Sequence, residues 1–340
     1  MKKSIIKKLL IALLIIIIAV VSLILAIKLD DASYREVFKY EEATNPYIRE
    51  YLDTDVSAHR AGAGVAPQNT LMAFEKILLE ADEIGVDTFE FDVQLTADGE
   101  LILLHNLTYD ATSNAVEAFG HEEVYASDLT FEESQVLNLG ENFTPDGENY
   151  PYRGLRGDDI PYNLRVAKCK DIIDYIEANC GDKIYNYIIE IKSVEEIGKA
   201  AADELYRIIT ERNMWDRVIW ATSKPEVAEY LRTAYPDTPR SATTSEVIEF
   251  YLYARMGWDL NKTNFQYCAL QIPGRSDYMI NLGTRKVINY AHKYNLAVQY
   301  WTINDEKDAE RLIANGADCI MTDYPEMVQN IKNKLTAENK

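Results

Sequence analysis

Two short apolar runs in the sequence each carry charged residues at alternating positions. In Phe89-Glu90-Phe91-Asp92-Val93, a strand sends Phe89, Phe91 and Val93 to one face and both carboxylates to the other. Like charges side by side in a sheet repel and are costly to desolvate unless something neutralises them. A divalent cation does this economically, because hard cations prefer carboxylate oxygens. One such E-x-D alone reads more simply as a solvent-facing edge strand. The pattern recurs in Ile188-Ile189-Glu190-Ile191-Lys192, where Glu190 and Lys192 share a face of a β-branched run. An ion pair is the plain reading there, yet barrel enzymes place catalytic groups near the C-terminal ends of apolar parallel strands. Glu190 would then complete a three-carboxylate site, with Lys192 available to phosphate. His59-Arg60 closes another run, ahead of Ala61-Gly62-Ala63-Gly64, and His105 closes Leu101-Ile102-Leu103-Leu104. The planar fork of Arg60 suits phosphate, and two strand-end histidines suit general acid–base work near neutral pH. His121 and His292 lack this context and are expected at the surface.

These residues need elements that bring them together. From residue 56 onward, short apolar segments alternate with amphipathic ones, the pattern of a parallel α/β fold. Strands are expected over 56–60, 88–93, 101–105, 185–192, 218–222, 240–244, 268–272, 296–302 and 319–323. Helices are expected over 69–84, 168–179, 194–212, 225–234, 245–256, 284–294 and 305–315, with a short one from Pro325. The fold implied is a TIM-type (β/α)8 barrel, which has one place fewer than the nine expected strands. The surplus falls in the pair 88–93 and 101–105, joined by Thr96-Ala97-Asp98-Gly99. That turn is too tight for a parallel crossover, so one of the two strands is antiparallel or merely extended. Residues from about 106 to 167 are polar, rich in Gly, Pro and Tyr, and show little periodicity. A stretch this long reads as a small insertion over one mouth of the barrel. Cys169, Cys180, Cys268 and Cys319 lack C-x-x-C spacing, and a helix over 168–179 keeps the first two too far apart to bridge, so free thiols are expected.

The N-terminus is of another kind. Lys2, Lys3, Lys7 and Lys8 precede an apolar run over 9–27, broken only by Ser22 and closed by Lys28. About 20 apolar residues cross a hydrocarbon core of ~30 Å, whereas a signal peptide has an apolar region of roughly 7–15. No small-x-small cleavage site or lipoprotein cysteine follows. The division expected is cytoplasmic lysines plus transmembrane anchor over 1–30, a linker over 31–54, and a barrel over 55–340. The lysines keep the N-terminus in the cytoplasm and put the barrel on the extracytoplasmic side of the cell membrane, as a single-pass protein. A net charge of −20, from 55 acidic and 35 basic residues, argues against nucleic acid as a partner. It also requires that a phosphate-bearing substrate be attracted locally.

The ordered set His59-Arg60, Pro67-Gln68-Asn69-Thr70, Glu90-Phe91-Asp92-Val93-Gln94-Leu95-Thr96, Asp98-Gly99, His105-Asn106, Glu190-Ile191-Lys192 and Trp301-Thr302 resembles the glycerophosphodiester phosphodiesterase family, in its membrane-anchored bacterial form. The resemblance runs from about residue 56 to the C-terminal region, omitting the anchor and much of the insertion, and its first block is the specific part. It implies a calcium or magnesium ion on Glu90, Asp92 and Glu190, acid–base histidines at His59 and His105, phosphate contacts from Arg60 and Lys192, and Trp301 lining the pocket. The implied activity is metal-dependent hydrolysis of glycerophosphodiesters to glycerol phosphate and an alcohol. Either water or the neighbouring glycerol hydroxyl serves as nucleophile. Two positions depart from the pattern: Gln68 replaces a usual Glu, and Asn106 a usual Asp. Gln68 keeps a hydrogen-bonding role without the charge, and Asn106 is expected to orient His105 less firmly. Two other readings stand beside this one. A phospholipase-like enzyme acting on membrane lipids suits the tether, although no exposed apolar loop stands out in the insertion. A catalytically weak phosphate- or lipid-binding module suits Gln68 and Asn106, but the retained carboxylates and histidines oppose it. A metal-dependent amidohydrolase needs more histidine ligands than the four histidines here readily supply.

Overall fold

The computed structural model describes residues 2–34, 40, 43–80, 84–275 and 281–339. Parts of the expected linker (35–39, 41 and 42) and of the expected helix over 69–84 (81–83) lie outside the described residues.

Eight strands are numbered in chain order: β1 (Asp55–Ala58), β2 (Thr88–Leu95), β3 (Leu101–Leu103), β4 (Asn186–Ile191), β5 (Val218–Ala221), β6 (Ala269–Ile272), β7 (Ala297–Tyr300) and β8 (Cys319–Thr322). Seven of them lie side by side in the order β5-β4-β2-β1-β8-β7-β6, every described pairing parallel. The exception is β3, antiparallel to the end of β2 with Leu103 opposite Val93, which is the surplus strand that the tight turn demanded. Between β5 and β6 the ring is closed by two residues, Arg240 and Ser241. Ser241 N–H donates to Trp220 O at 2.8 Å, and Cys268 N–H to Arg240 O at 2.9 Å. The strand expected over 240–244 is cut to this short stave for a local reason. Thr243 and Glu246 form a capping box that turns the chain into the helix Thr244–Met256.

Alternation along β2 works as the sequence suggests. Phe89 and Phe91 point outward and pack on Phe74 of the helix Leu71–Leu79, with ring centroids 5.5 and 5.7 Å apart. The opposite face looks into the barrel. There Ile188, Ile219, Ala269, Ala297, Cys319 and Met321 fill the interior, and Tyr47 and Ile48 pack onto the same cluster. The helices Glu195–Arg212, Pro225–Ala234, Arg285–Lys293, Glu306–Asn315 and Pro325–Glu338 complete the alternating pattern, the last being 14 residues and not short. All four cysteines are free, and Cys169 opens the helix Cys169–Asn179. Within 106–167, short helical turns gather Tyr109, Ala115, Val124, Ala126, Leu137 and Leu139 into a core of their own, shared with Ile102 of β3.

The expectation for His292 is corrected. It is buried, and its Nε2 lies 2.8 Å from Asp318 Oδ2. It stands four residues after buried Ile288 on one helix face, so helical spacing carries it inward. His121 is exposed, in line with the sequence reading.

At the N-terminus, a helix covers Lys2–Ser33, and its stretch Leu10–Asp31 has a mean hydropathy of 3.5 with none of it buried. At ~1.5 Å per residue it is long enough for a ~30 Å hydrocarbon core. Length and composition alone suit an anchor or a signal sequence equally.

Candidate active site

Strands β2 and β4 are in register with Asp92 opposite Glu190. Glu90, Asp92 and Glu190 therefore converge, and one carboxylate oxygen from each lies within 4.8 Å of the others. Glu90 and Asp92 are buried and Glu190 half-buried. Lys192, one alternation beyond Glu190, places Nζ 2.8 Å from Glu190 Oε2 and 3.2 Å from Asp92 Oδ1. Arg60 Nε lies 3.5 Å from Asp92 Oδ2. Burial opposes the charge on Asp92, but Lys192, His105 and Arg60 hold its carboxyl below the usual range. Burial likewise opposes the Lys192 ammonium, and Asp92 and Glu190 outweigh it, raising its pKa. Glu90 is left short of positive charge: burial, and then repulsion from Asp92, push its carboxyl up to about 7. Three carboxylates face two fixed cations and the edge of the His59 ring, a crowding of acidic groups that is costly to bury unless further positive charge is supplied. An all-oxygen cluster with this deficit fits a hard divalent cation.

The end of β1 differs from the sequence expectation. The strand stops at Ala58, and His59–Ala61 forms a tight turn in which Arg60 has φ 50° and Ala61 φ 62°. The reason is visible in the contacts. Arg60 N–H donates to Glu90 Oε2 at 2.7 Å, and its guanidinium Nη1 donates to Gln68 Oε1 at 2.6 Å. An extended strand would carry both groups past these partners. Gln68 thus keeps the hydrogen bond that its amide oxygen allows, without the charge. Gly64 belongs to the same loop, and a side chain there would run into the ring of Tyr324 beyond β8.

His59 and His105 are both held through Nδ1. His59 Nδ1 is 2.6 Å from Asp323 Oδ1, while its Nε2 looks toward Glu90 Oε2 at 4.0 Å and Thr302 Oγ1 at 3.5 Å. Asp323 is itself steadied by Asn304 Nδ2 at 2.6 Å. Burial works against a charged His59, but Glu90 and the Asp323 hydrogen bond raise its pKa above the ordinary value. His105 follows β3, and its Nδ1 is 2.6 Å from Asn106 Oδ1, so the amide does orient the ring. Burial, with the Lys192 ammonium, holds the His105 pKa below its ordinary value against the pull of Asp92.

The structure brings Glu90, Asp92, Glu190, Lys192, Arg60 and His59 into direct contact, with His105 in the field of Asp92 and Lys192. Trp301, 44% exposed after β7, is next to Thr302, whose Oγ1 lies 3.5 Å from His59 Nε2. Sequence reasoning missed two partners. Asn69 clamps Asp92 from both ends, its Nδ2 donating to Oδ2 at 2.9 Å and its Oδ1 accepting from the Asp92 N–H at 3.2 Å. Asp323 ends the run Cys319-Ile320-Met321-Thr322, the same strand-end signal that singled out His105. A cleft of about 200 Å³ opens beside the site, between Pro67 and Gln68 on one side and Thr112, Leu139 and Phe143 of the 106–167 region on the other.

The Glycerophosphoryl diester phosphodiesterase family matches residues 59–327, from the first site histidine into the last helix. A glycerophosphodiester phosphodiesterase of Caldanaerobacter subterraneus subsp. tengcongensis is 28% identical over 285 residues, 83% of this chain and 99% of that relative. Among solved structures, the glycerophosphoryl diester phosphodiesterase domain of a Mycobacterium tuberculosis protein superposes with a TM-score of 0.63 at 16% identity, covering 82% of this chain and 98% of that one. A phosphodiesterase of Oleispira antarctica, in complex with the product sn-glycerol-3-phosphate, does so with a TM-score of 0.59 at 17% identity, covering 82% and 96%. The solved structures speak for the TIM-type barrel, and the family match spans the whole carboxylate and histidine site: the chain belongs to the glycerophosphoryl diester phosphodiesterase family and is a phosphoric diester hydrolase acting on glycerophosphodiesters.

Proposed function

We propose that Glu90, Asp92 and Glu190 hold one divalent cation, Ca2+ or Mg2+, and that His59 and His105 are the acid–base pair that cleaves a glycerophosphodiester to glycerol phosphate and an alcohol. The observation that carries this is the carboxylate cluster with oxygens within 4.8 Å, flanked by Arg60 and Lys192. When bound, the cation supplies the charge that draws in the phosphodiester and neutralises its non-bridging oxygens. Arg60 contacts those oxygens through its planar fork, and Lys192 as a point charge. One imidazole takes the proton of the nucleophile, and the other gives a proton to the departing alkoxide. Glu90 and Asp323 raise the pKa of His59 while burial and Lys192 lower that of His105, so the two are driven apart, as an acid–base pair needs. Trp301 lines the mouth beside the substrate. Residues 1–30 form the anchor and 31–54 a linker, while 55–340 form the catalytic barrel with its insertion over about 106–167. The protein is then single-pass in the cell membrane, with the barrel on the extracytoplasmic side.

The test is release of the phosphate-linked alcohol by the full chain in detergent, with Ca2+, Mg2+ and chelator arms, on soluble glycerophosphodiesters and on phospholipid vesicles. Chelation should abolish turnover and a divalent cation restore it. His59→Ala and His105→Ala should each lose turnover while remaining folded. Undiminished turnover with chelator removes the cation, and full activity in either variant removes that histidine. Faster release from vesicles than from soluble diesters favours the phospholipase-like reading.

A further inference from the structure

The helix Thr244–Met256 has apolar residues on two faces. Phe250 and Ala254 are buried against the barrel, while Ile248, Leu252 and Met256 recur every fourth residue on the outer side, 58%, 53% and 60% exposed. Just beyond, Trp258 is 52% exposed and packs edge-on against Tyr253, with ring centroids 5.3 Å apart. Single exposed apolar residues are ordinary on a protein surface, but four in a row mark an interaction surface. The chain itself points to what covers them. Arg255, beside Met256, donates through Nη2 to Asp31 Oδ2 at 3.0 Å. Lys286, on the neighbouring helix, pairs with Asp30. Both aspartates follow Leu29 directly, at the end of the apolar stretch Leu10–Asp31. These ion pairs fix the outer wall of the barrel to the point where the apolar helix would leave the hydrocarbon.

We propose that Ile248, Leu252, Met256 and Trp258 dock into the headgroup boundary of the same membrane that holds the N-terminal helix. The inference rests on that helix being the retained anchor proposed above. The headgroup zone is roughly 5–8 Å deep on each side of the hydrocarbon, about the reach of one large side chain. A Trp beside an aliphatic stripe is the composition of a helix lying in that zone. Glu249 and Asp259 flank the stripe, so docking is apolar and does not depend on anionic lipid. An orientation follows. The helix starts at the C-terminal end of the Arg240–Ser241 stave and returns toward the start of β6, so Met256 and Trp258 lie at the N-terminal end of the barrel. His59, Trp301 and Asp323 follow the C-terminal ends of β1, β7 and β8, at the other end. For all four side chains to reach that zone the helix lies along the surface, so the barrel rests on its side and the mouth opens sideways, with Trp301 on a loop outside the docked helix.

The experiment uses the full chain reconstituted in phosphatidylcholine vesicles whose acyl chains carry bromine, a short-range quencher of indole fluorescence. Flotation with the vesicles reports the anchor. The four tryptophans are separated by Trp258→Phe and Trp301→Phe. Bromine-dependent quenching should disappear in Trp258→Phe, persist in Trp301→Phe, and be unchanged by added anionic lipid. The triple variant Ile248→Ser, Leu252→Ser, Met256→Ser should lose the quenching while turnover of soluble diesters stays within twofold. A floating chain in which Trp258 is unquenched, or Trp301 is quenched, overturns the proposal. Cross-linking of two chains through this helix also overturns it, because a second copy then covers the face. A chain that does not float overturns the anchor itself, and this inference with it.

Discussion

Replacing Asn106 by aspartate changes one charge beside His105, the proposed proton-transfer group, and little else. The His105 Nδ1 to Asn106 Oδ1 contact is 2.6 Å, and the amide oxygen accepts as a neutral group. Asn106→Asp keeps the shape and adds a full negative charge at the ring. With charge centres about 4 Å apart, the attraction is about 4 kcal/mol at an effective dielectric of 20. The pair is exposed to solvent, and screening reduces this to about 1–1.5 kcal/mol, close to one pKa unit. The sign is upward, because a carboxylate favours the imidazolium form. His105 starts below its ordinary value, held there by burial and Lys192, so the variant brings it back toward that value.

The assay is the pH profile of kcat/KM on a glycerophosphodiester at saturating divalent cation. If His105 is the base, its protonation sets the acid limb, and that limb moves up by about one pH unit. If it is the acid, the alkaline limb moves up by the same amount. Either result assigns its role. A folded, cation-binding variant in which neither limb moves refutes His105 as a proton-transfer group. Asn106→Leu serves as the control: it removes the acceptor, lowers turnover and raises neither limb.

Glu190→Gln should weaken divalent-cation binding about 100-fold or more by calorimetric titration, and unchanged affinity would remove it from the ligand set. Asp323→Asn takes the carboxylate from His59 Nδ1, so kcat should fall about 100-fold with KM little changed; an unaltered kcat would show that the pair does not matter to turnover. Asp318→Ala strips acceptors from the Arg49 N–H at 2.8 Å, the Val298 N–H at 2.6 Å and His292 Nε2 at 2.8 Å. It should destabilise by about 3 kcal/mol in urea unfolding, and a loss under about 1 kcal/mol would mean these groups find other partners. Gly198→Ala drives a methyl into the Val227 side chain and to 2.6 Å from Ser193 O, which is backbone and cannot step aside. A cost of about 1–3 kcal/mol should appear as a lower Tm, and an unchanged Tm would contradict the close approach.

The parts of the site that sequence reveals are those governed by local periodicity. Glu90 with Asp92, and Glu190 with Lys192, announce themselves because a period of two puts each pair on one face of an apolar strand. The tight turn after Leu95 likewise foretells that one strand of the pair is antiparallel or merely extended, and it is β3 that runs antiparallel. What stays hidden depends on barrel closure. β1 lies beside β8, so the Asp323 that orients His59 comes from 264 residues away, and no spacing rule connects them. The same holds for Asp318, whose contacts with Arg49, Val298 and His292 exist only once the ring has closed. The early end of β1 is non-local too, since Glu90 on the next strand captures the Arg60 N–H and bends the chain. At Arg240–Ser241 the regular succession of strand and helix units calls for a strand, while the Thr243 capping box ends it after two residues.

Gln68 and Asn106, the two departures from the family pattern, act in one direction once they are placed. Each puts a neutral amide where the pattern has a carboxylate, and each amide keeps a 2.6 Å contact, to the Arg60 guanidinium and the His105 ring respectively. Geometry is retained and negative charge is withdrawn. Arg60, proposed to contact phosphate, then pairs with Asp92 at 3.5 Å and meets no carboxylate at position 68. In a chain carrying −20 overall, removing two negative charges from the edge of the site strengthens the local attraction that an anionic diester needs. A decaying site would lose carboxylates from the proposed cation cluster or the histidines themselves, and those are the residues this chain keeps. The amides therefore read as a tuning of charge around an intact centre, which argues against the binding-module reading they first suggested.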